Sequence, residues 1–119
     1  MAQIYRRNTD PTADADFAAA RVFGKVRLGT ESLFWRRGLR AYRLPLKEIR
    51  RAWRRVEEVR AKTGCCSNDF SAHFLMLRLA DGTEEKIKIG EALYRHEPEA
   101  LMEQLKAQCP DLPIGKPED

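Results

Sequence analysis

The clearest hydrophobic pattern in the chain is a pair of runs in residues 71–90 that alternate apolar and polar residues and are separated by Asp81 and Gly82. A two-residue period is typical of half-buried strands, and an Asp-Gly pair between two such runs favours a hairpin. A two-residue turn at Asp81 and Gly82 would place the leucines of the first run on the same face as lysines of the second. We therefore predict a three-residue loop, 80–82, with Gly82 in the left-handed conformation.

This loop sets the register of the hairpin. Both faces become chemically consistent, with the cross-strand pairs Leu75–Ile87 and Arg78–Glu84. One mismatch remains, because Glu85 falls opposite Leu77.

Three shorter runs of β type precede the hairpin, at residues 22–28, 32–37 and 39–46. Gly29 and Gly38 separate them, and Pro45 ends the third run or places it at a sheet edge. The pattern predicts consecutive antiparallel strands joined by tight turns.

Two helices are predicted at the ends of the chain. Asp10 can cap a helix over about 11–20, with Pro11 in its first turn and Phe17 as its one large apolar residue. The second helix has Pro98 in its first turn and ends at Pro110. Its apolar stripe consists of Leu101, Met102, Leu105 and Cys109.

Residues 46–62 admit two interpretations. Ile49, Trp53, Val56 and Val59 recur at roughly helical spacing, which favours a helix. Trp and Val favour strands, and a bulge between Trp53 and Val56 would let the same residues share the inner face of a bent strand. Both interpretations stay open at this point.

The order of elements resembles that of pleckstrin-homology-like (PH-like) domains, particularly the small bacterial ones. The resemblance covers residues 21–109 and rests on a strand run with L-P-L-K-E-I, a late hairpin F-L-M-L-R-L-A-D-G-T-E-E-K-I-K-I and one closing amphipathic helix. It implies a mainly β fold, in which a bent antiparallel sheet forms a partly open barrel that the C-terminal helix caps. Residues 1–20 are then an N-terminal extension with the short helix, and 110–119 a flexible tail.

PH-like domains that bind inositol phospholipids use a Lys on the first strand and a basic-x-Arg pattern on the second. Here Lys25 and Arg27 lie on the first predicted strand, and Arg36 and Arg37 end the second. The run W-R-R-G-L-R lacks the basic-x-Arg spacing, so the resemblance implies an interaction or assembly module.

Composition adds a charge asymmetry. The net charge is +4, but residues 1–62 carry +9 and residues 63–119 carry −5. Arginine dominates the basic part and suits bidentate contacts with carboxylate or phosphate. These arginines could instead neutralise the acidic half or solvate a sheet face. The candidate anion-binding residues are Arg36, Arg37, Arg40, Arg43, Arg54 and Arg55.

No catalytic, metal or cofactor site is predicted. The reactive groups lie in no nucleophile motif or metal-ligand spacing. They are Cys65, Cys66, Asp69, Ser71, His73, His96 and Cys109. An odd cysteine count, no apolar run long enough to cross a bilayer and no export signal in residues 1–10 predict a cytoplasmic protein with reduced thiols.

The sequence therefore favours a non-catalytic PH-like interaction or assembly module that binds a protein partner or self-associates, with head-to-tail pairing of its basic and acidic halves as one hypothesis. The alternative function is binding of an anionic ligand through the arginine-rich face: an acidic lipid headgroup, an acidic protein segment or nucleic acid. Nucleic acid is the least favoured of these, because at least two of Trp35, Tyr42 and Trp53 are expected in the core.

Overall fold

The computed structural model describes residues 2–61, 68–91 and 96–116. A short 3-10 turn, Leu46–Glu48, joins the two halves of the fold. The strands and helices, in chain order, are β1 (Gln3–Tyr5), α1 (Pro11–Ala19), β2 (Arg21–Phe23), β3 (Val26–Leu28), β4 (Ser32–Arg37), β5 (Arg40–Pro45), β6 (Ile49–Ala61), β7 (Asn68–Leu79), β8 (Glu84–Glu91) and α2 (His96–Gln108).

The strands form two antiparallel sheets that do not close into a barrel. The N-terminal sheet has the order β1-β5-β4-β3-β2, and the C-terminal sheet has the order β6-β7-β8. Helix α2 contacts β2 of the first sheet and β6 and β7 of the second, so it caps the space between them. The predicted fold class, a mainly β open antiparallel sheet with a C-terminal helical cap, is confirmed.

The main core lies between the inner faces of the two sheets. Leu33 and Leu44 of the N-terminal sheet and Leu75 of the C-terminal sheet are fully buried there. Helix α2 contributes Leu101 and Leu105 to the same cluster, as its predicted apolar stripe requires.

Strand β4 is buried on both faces. Leu33 and Trp35 point into the main core, whereas Phe34 points to the opposite, outer face of the N-terminal sheet. There the rings of Tyr5 and Phe17 lie 5.3 and 5.2 Å from that of Phe34. Helix α1 therefore covers part of the outer face and is integral to the fold.

Helix α1 is placed by two carboxylates. Asp10 caps it as predicted, accepting hydrogen bonds from the backbone N–H groups of Thr12 and Ala13. The Asp16 carboxylate accepts backbone N–H groups of residues 30–32 in the β3–β4 loop, at distances from 2.7 to 3.3 Å. Gly29 leaves room for this carboxylate, because a Cβ at its position would lie 2.5 Å from the Asp16 oxygens and would displace them.

The predicted β7–β8 hairpin is confirmed. Leu75 pairs with Ile87, the Leu79 N–H donates to the Thr83 carbonyl across the three-residue loop, and Gly82 has φ +88°. The predicted mismatch at Glu85 also occurs. Arg37 from the facing sheet lies 3.7 Å from the Glu85 carboxylate, which explains how an acidic group is accommodated there.

Residues 49–61 form a strand, which excludes the helical interpretation. The register shift lies between Ile49 and Arg51, not between Trp53 and Val56. Consequently Ala52 is the residue that faces the main core, and Trp53 is buried on the opposite face. The early bulge exchanges the faces of all the residues that follow it.

Two further segments differ from expectation. Residues 22–28 are not one strand but the hairpin of β2 and β3, because Gly24 adopts φ +61° and turns the chain. The segment predicted as a flexible tail is packed as far as it is described: Leu112 is buried, and Ile114 forms a parallel bridge with Ala52 of β6.

We predict that Asp16→Ala lowers the free energy of unfolding by about 2 kcal/mol, because several backbone N–H groups lose a charged acceptor. Urea denaturation measures this change. Glu103→Ala, at an exposed position of α2, is the matched control and should leave the midpoint unchanged. An equal midpoint for Asp16→Ala and the wild type would show that the carboxylate does not hold the loop.

Candidate functional site

The six candidate arginines do not form one face. Arg43 lies beneath α1, 3.4 Å from Asp10. Arg54 lies 3.6 Å from Glu99 on α2. Arg55 lies 3.0 Å from Glu57 of its own strand. Arg54 and Arg55 are neighbours on β6 whose side chains lie on opposite faces of the strand, and Arg43 lies on the other sheet. Each of the three already has a carboxylate partner.

The other three arginines surround the turn between β4 and β5, which consists of Gly38 and Leu39. Arg37 is held by Glu85 and lies over the Tyr42 ring, with 5.7 Å between the guanidinium carbon and the ring centroid. None of the ion pairs recorded between described residues involves Arg36 or Arg40, so both charges are free to meet a ligand.

The topology brings to this turn further cations that are not among the six candidate arginines. Tyr5 pairs with Ala41, so the chain after β1 continues towards the same end of the sheet as the β4–β5 turn. Val26 pairs with Trp35, which brings the β2–β3 turn there as well. The basic end, as we name this set, comprises Arg6, Arg7, Lys25, Arg36, Arg37 and Arg40 around Leu39.

A groove of about 670 Å³ opens on the outer face of the sheet beside this end. Its floor contains Phe34 and Ala41, and Phe17 of α1 forms one wall. The groove has no acidic residue among its described lining residues, and its cations are Arg7, Lys25, Arg27 and Arg36. We call this concavity the basic groove.

Aromatic contacts position two of these cations, and Tyr5, which also lines the groove, adds no negative charge. The guanidinium carbons of Arg27 and Arg7 lie 4.6 and 5.9 Å from the Phe17 ring centroid, within cation–π range. The Tyr5 hydroxyl donates a hydrogen bond to Asp14, and burial together with that bond raises the pKa of Tyr5. Tyr5 therefore stays uncharged at neutral pH.

Leu39 is the most exposed large apolar residue recorded, with 96% of its surface accessible. The left-handed φ of +64° at Gly38 forms the tight turn that projects it. Val22, which is 58% exposed, lines the opposite side of the groove. The site thus combines free cations with exposed apolar side chains.

The residues considered for catalysis do not assemble into a reactive site in the part of the chain that is described. His96 is exposed at the start of α2, whereas His73 is half-buried in β7 opposite Val56 and Gly90. Cys65, Cys66 and the side chain of Asp69 lie outside the described residues. Among the described residues, no three His, Cys, Asp or Glu side chains are grouped so that they could hold a metal ion.

Cys109 is half-buried at the end of α2, and burial raises the pKa of its thiol. A raised pKa lowers the thiolate fraction at any given pH, so the thiol reacts slowly. We predict that iodoacetamide modifies Cys109 more slowly in the folded chain than in urea at the same pH, as followed by peptide mass spectrometry. Equal rates in the two conditions would contradict this assignment.

Comparison of the chain with family models, curated proteins and solved structures gives no match. Neither described helix has the length and apolar character needed to cross a bilayer. A functional proposal therefore depends on the chemistry of the basic end and the basic groove.

Proposed function

We propose that this chain is a non-catalytic interaction module with a PH-like layout, and that its basic end attaches reversibly to the surface of an anionic membrane. Leu39 carries this proposal, because its apolar side chain is 96% exposed on a turn flanked by Arg36 and Arg40, which have no carboxylate partner among the described residues. An anionic membrane suits this tip, by which we mean Leu39 and the turn that carries it: the anionic headgroups attract the arginines, and the apolar interior accepts the leucine side chain.

The charges of the basic end suit this surface. Each Lys or Arg held close to an anionic leaflet contributes about 1 kcal/mol. Arg36 and Arg40 flank the projecting turn without recorded carboxylate partners, so binding does not require an existing ion pair to break. Arg7 and Lys25 approach the same surface from neighbouring segments.

The apolar tip supplies the second contribution. Transfer of a leucine side chain from water to an apolar phase is worth roughly 1.5–3 kcal/mol. Leu39 can enter the bilayer without any change in the fold, because it makes almost no contact with the rest of the chain. Together, the charge contribution and the apolar contribution correspond to weak, salt-sensitive attachment and not to permanent anchoring.

The PH-like resemblance supports the same end of the molecule. Lys25 and Arg27, which the resemblance marks on its first strand, line the basic groove, and so does Arg36 at the end of the second. The groove is large enough for a phosphorylated headgroup beside the inserted tip.

We predict that the full chain sediments with phosphatidylcholine vesicles containing about a third phosphatidylserine, and that added salt releases it. Leu39→Ser should weaken the partition about tenfold, because the tip loses its apolar transfer energy. Arg36→Glu should weaken it by a similar factor, because one attractive charge becomes repulsive.

Two matched control variants distinguish binding through this site from nonspecific adsorption to the vesicles. Ile4→Ser removes an apolar residue that is 51% exposed and lies on the other face of the sheet. Lys47→Glu reverses an exposed charge beyond β5, at the far end of the sheet. Both should bind as the wild type does. Absence of vesicle binding, combined with capture of a soluble acidic peptide that Arg36→Glu abolishes, would refute the membrane proposal and favour an acidic protein partner.

A further inference from the structure

Strand β6 has one edge that β7 does not use. Ala52 donates its N–H to the Pro113 carbonyl and accepts the Gly115 N–H, so both of its backbone polar groups point away from β7. The β6–β7 register is continuous from Arg51 onwards, and backbone direction alternates along a strand. The N–H and C=O groups of Arg54, Val56 and Glu58 therefore also point outwards.

No backbone hydrogen bond recorded in the described chain reaches these three residues from another segment. Within residues 110–116, the described part of the C-terminal segment, the edge is paired at Ala52, through Ile114. The edge beyond it contains no proline and no bulge, and Val56 on it is 48% exposed. Exposed edges of this kind are templates for pairing with another strand.

The residues of this edge complement their own sequence in reverse. In an antiparallel pairing centred on Val56, Val56 faces its copy, Arg54 faces Glu58 and Arg55 faces Glu57. Opposite charges directly across a strand pair stabilise it. All three residues with outward backbone groups then face one another, and each such pair can exchange two hydrogen bonds.

The neighbouring registers that keep the backbone groups in phase are repulsive. Centring the pair on Arg55 places Arg55 opposite Arg55. Centring it on Glu57 places Glu57 opposite Glu57. Like charges directly across a strand pair are destabilising, so one register is selected.

We propose that two copies of this chain associate through residues 54–58 of β6, antiparallel and related by a two-fold axis at Val56, to form a continuous six-stranded sheet. Ala52 is already bridged by Ile114, which limits the paired segment to these five residues in each copy. The surface shares no residue with the basic end, so this interface is independent of membrane attachment.

Sedimentation equilibrium of the full chain over a range of concentrations tests the proposal. The wild type should show a reversible monomer–dimer equilibrium. Arg54→Glu places two carboxylates opposite each other across the pair, and Glu58→Arg places two guanidinium groups there, so each variant should associate about tenfold or more weakly. An equimolar mixture of the two variants restores opposite charges at both positions and should recover dimers.

Controls keep this test interpretable. Lys47→Glu and Glu103→Arg are charge reversals of the same two kinds at exposed positions outside the edge, and both should dimerise as the wild type does. Val56→Pro removes an outward-pointing N–H, which an edge strand tolerates, and should yield a folded monomer by circular dichroism and sedimentation. A monomeric wild type at all concentrations, single variants that dimerise normally, or a mixture that stays monomeric would each overturn the proposal.

Discussion

Strand β4 is buried on both faces, and the cover that each face needs determines how the second sheet and the two helices are arranged. A sheet strand with Leu33 and Trp35 on one side and Phe34 on the other requires a cover on each side. The C-terminal sheet and α2 supply the inner cover. Helix α1 supplies the outer one through Phe17, and Asp16 fixes it to the loop that precedes β4.

The proposed site follows from the limited size of that outer cover. Helix α1 has only nine residues and lies over the start of β4, so the end of the sheet near Leu39 stays open as the basic groove. Antiparallel connection then brings the segment after β1 and two turns to this open end. Their cations meet in space although they are far apart in the chain.

The features predicted correctly from the sequence are those that depend on residues close together in the chain. The Asp10 cap and the β7–β8 register depend on neighbouring residues and alternation, and both are found as predicted. The sheet face on which Trp53 lies depends on a bulge near Ile49, and the hydrophobic pattern of the sequence does not predict the position of that bulge. Only Gly24 could have indicated the early turn between β2 and β3.

The site was predictable only in part, because some of its residues are brought together by the fold and not by their positions in the sequence. Arg36, Arg37 and Arg40 are close in sequence and stay together around one turn, whereas Arg7 joins the site only through the β1–β5 register, which requires the fold to be known.

In the proposed attachment, the end of the sheet around Leu39 faces the bilayer. Relaxation enhancement of the backbone amides by a spin-labelled lipid in anionic bicelles tests it in the unmodified chain. We expect the largest enhancement at residues 24–25 and 36–40, and little at residues 45–50 and 110–116. The strongest enhancement at the latter segments, or a uniform effect over the surface, would contradict it.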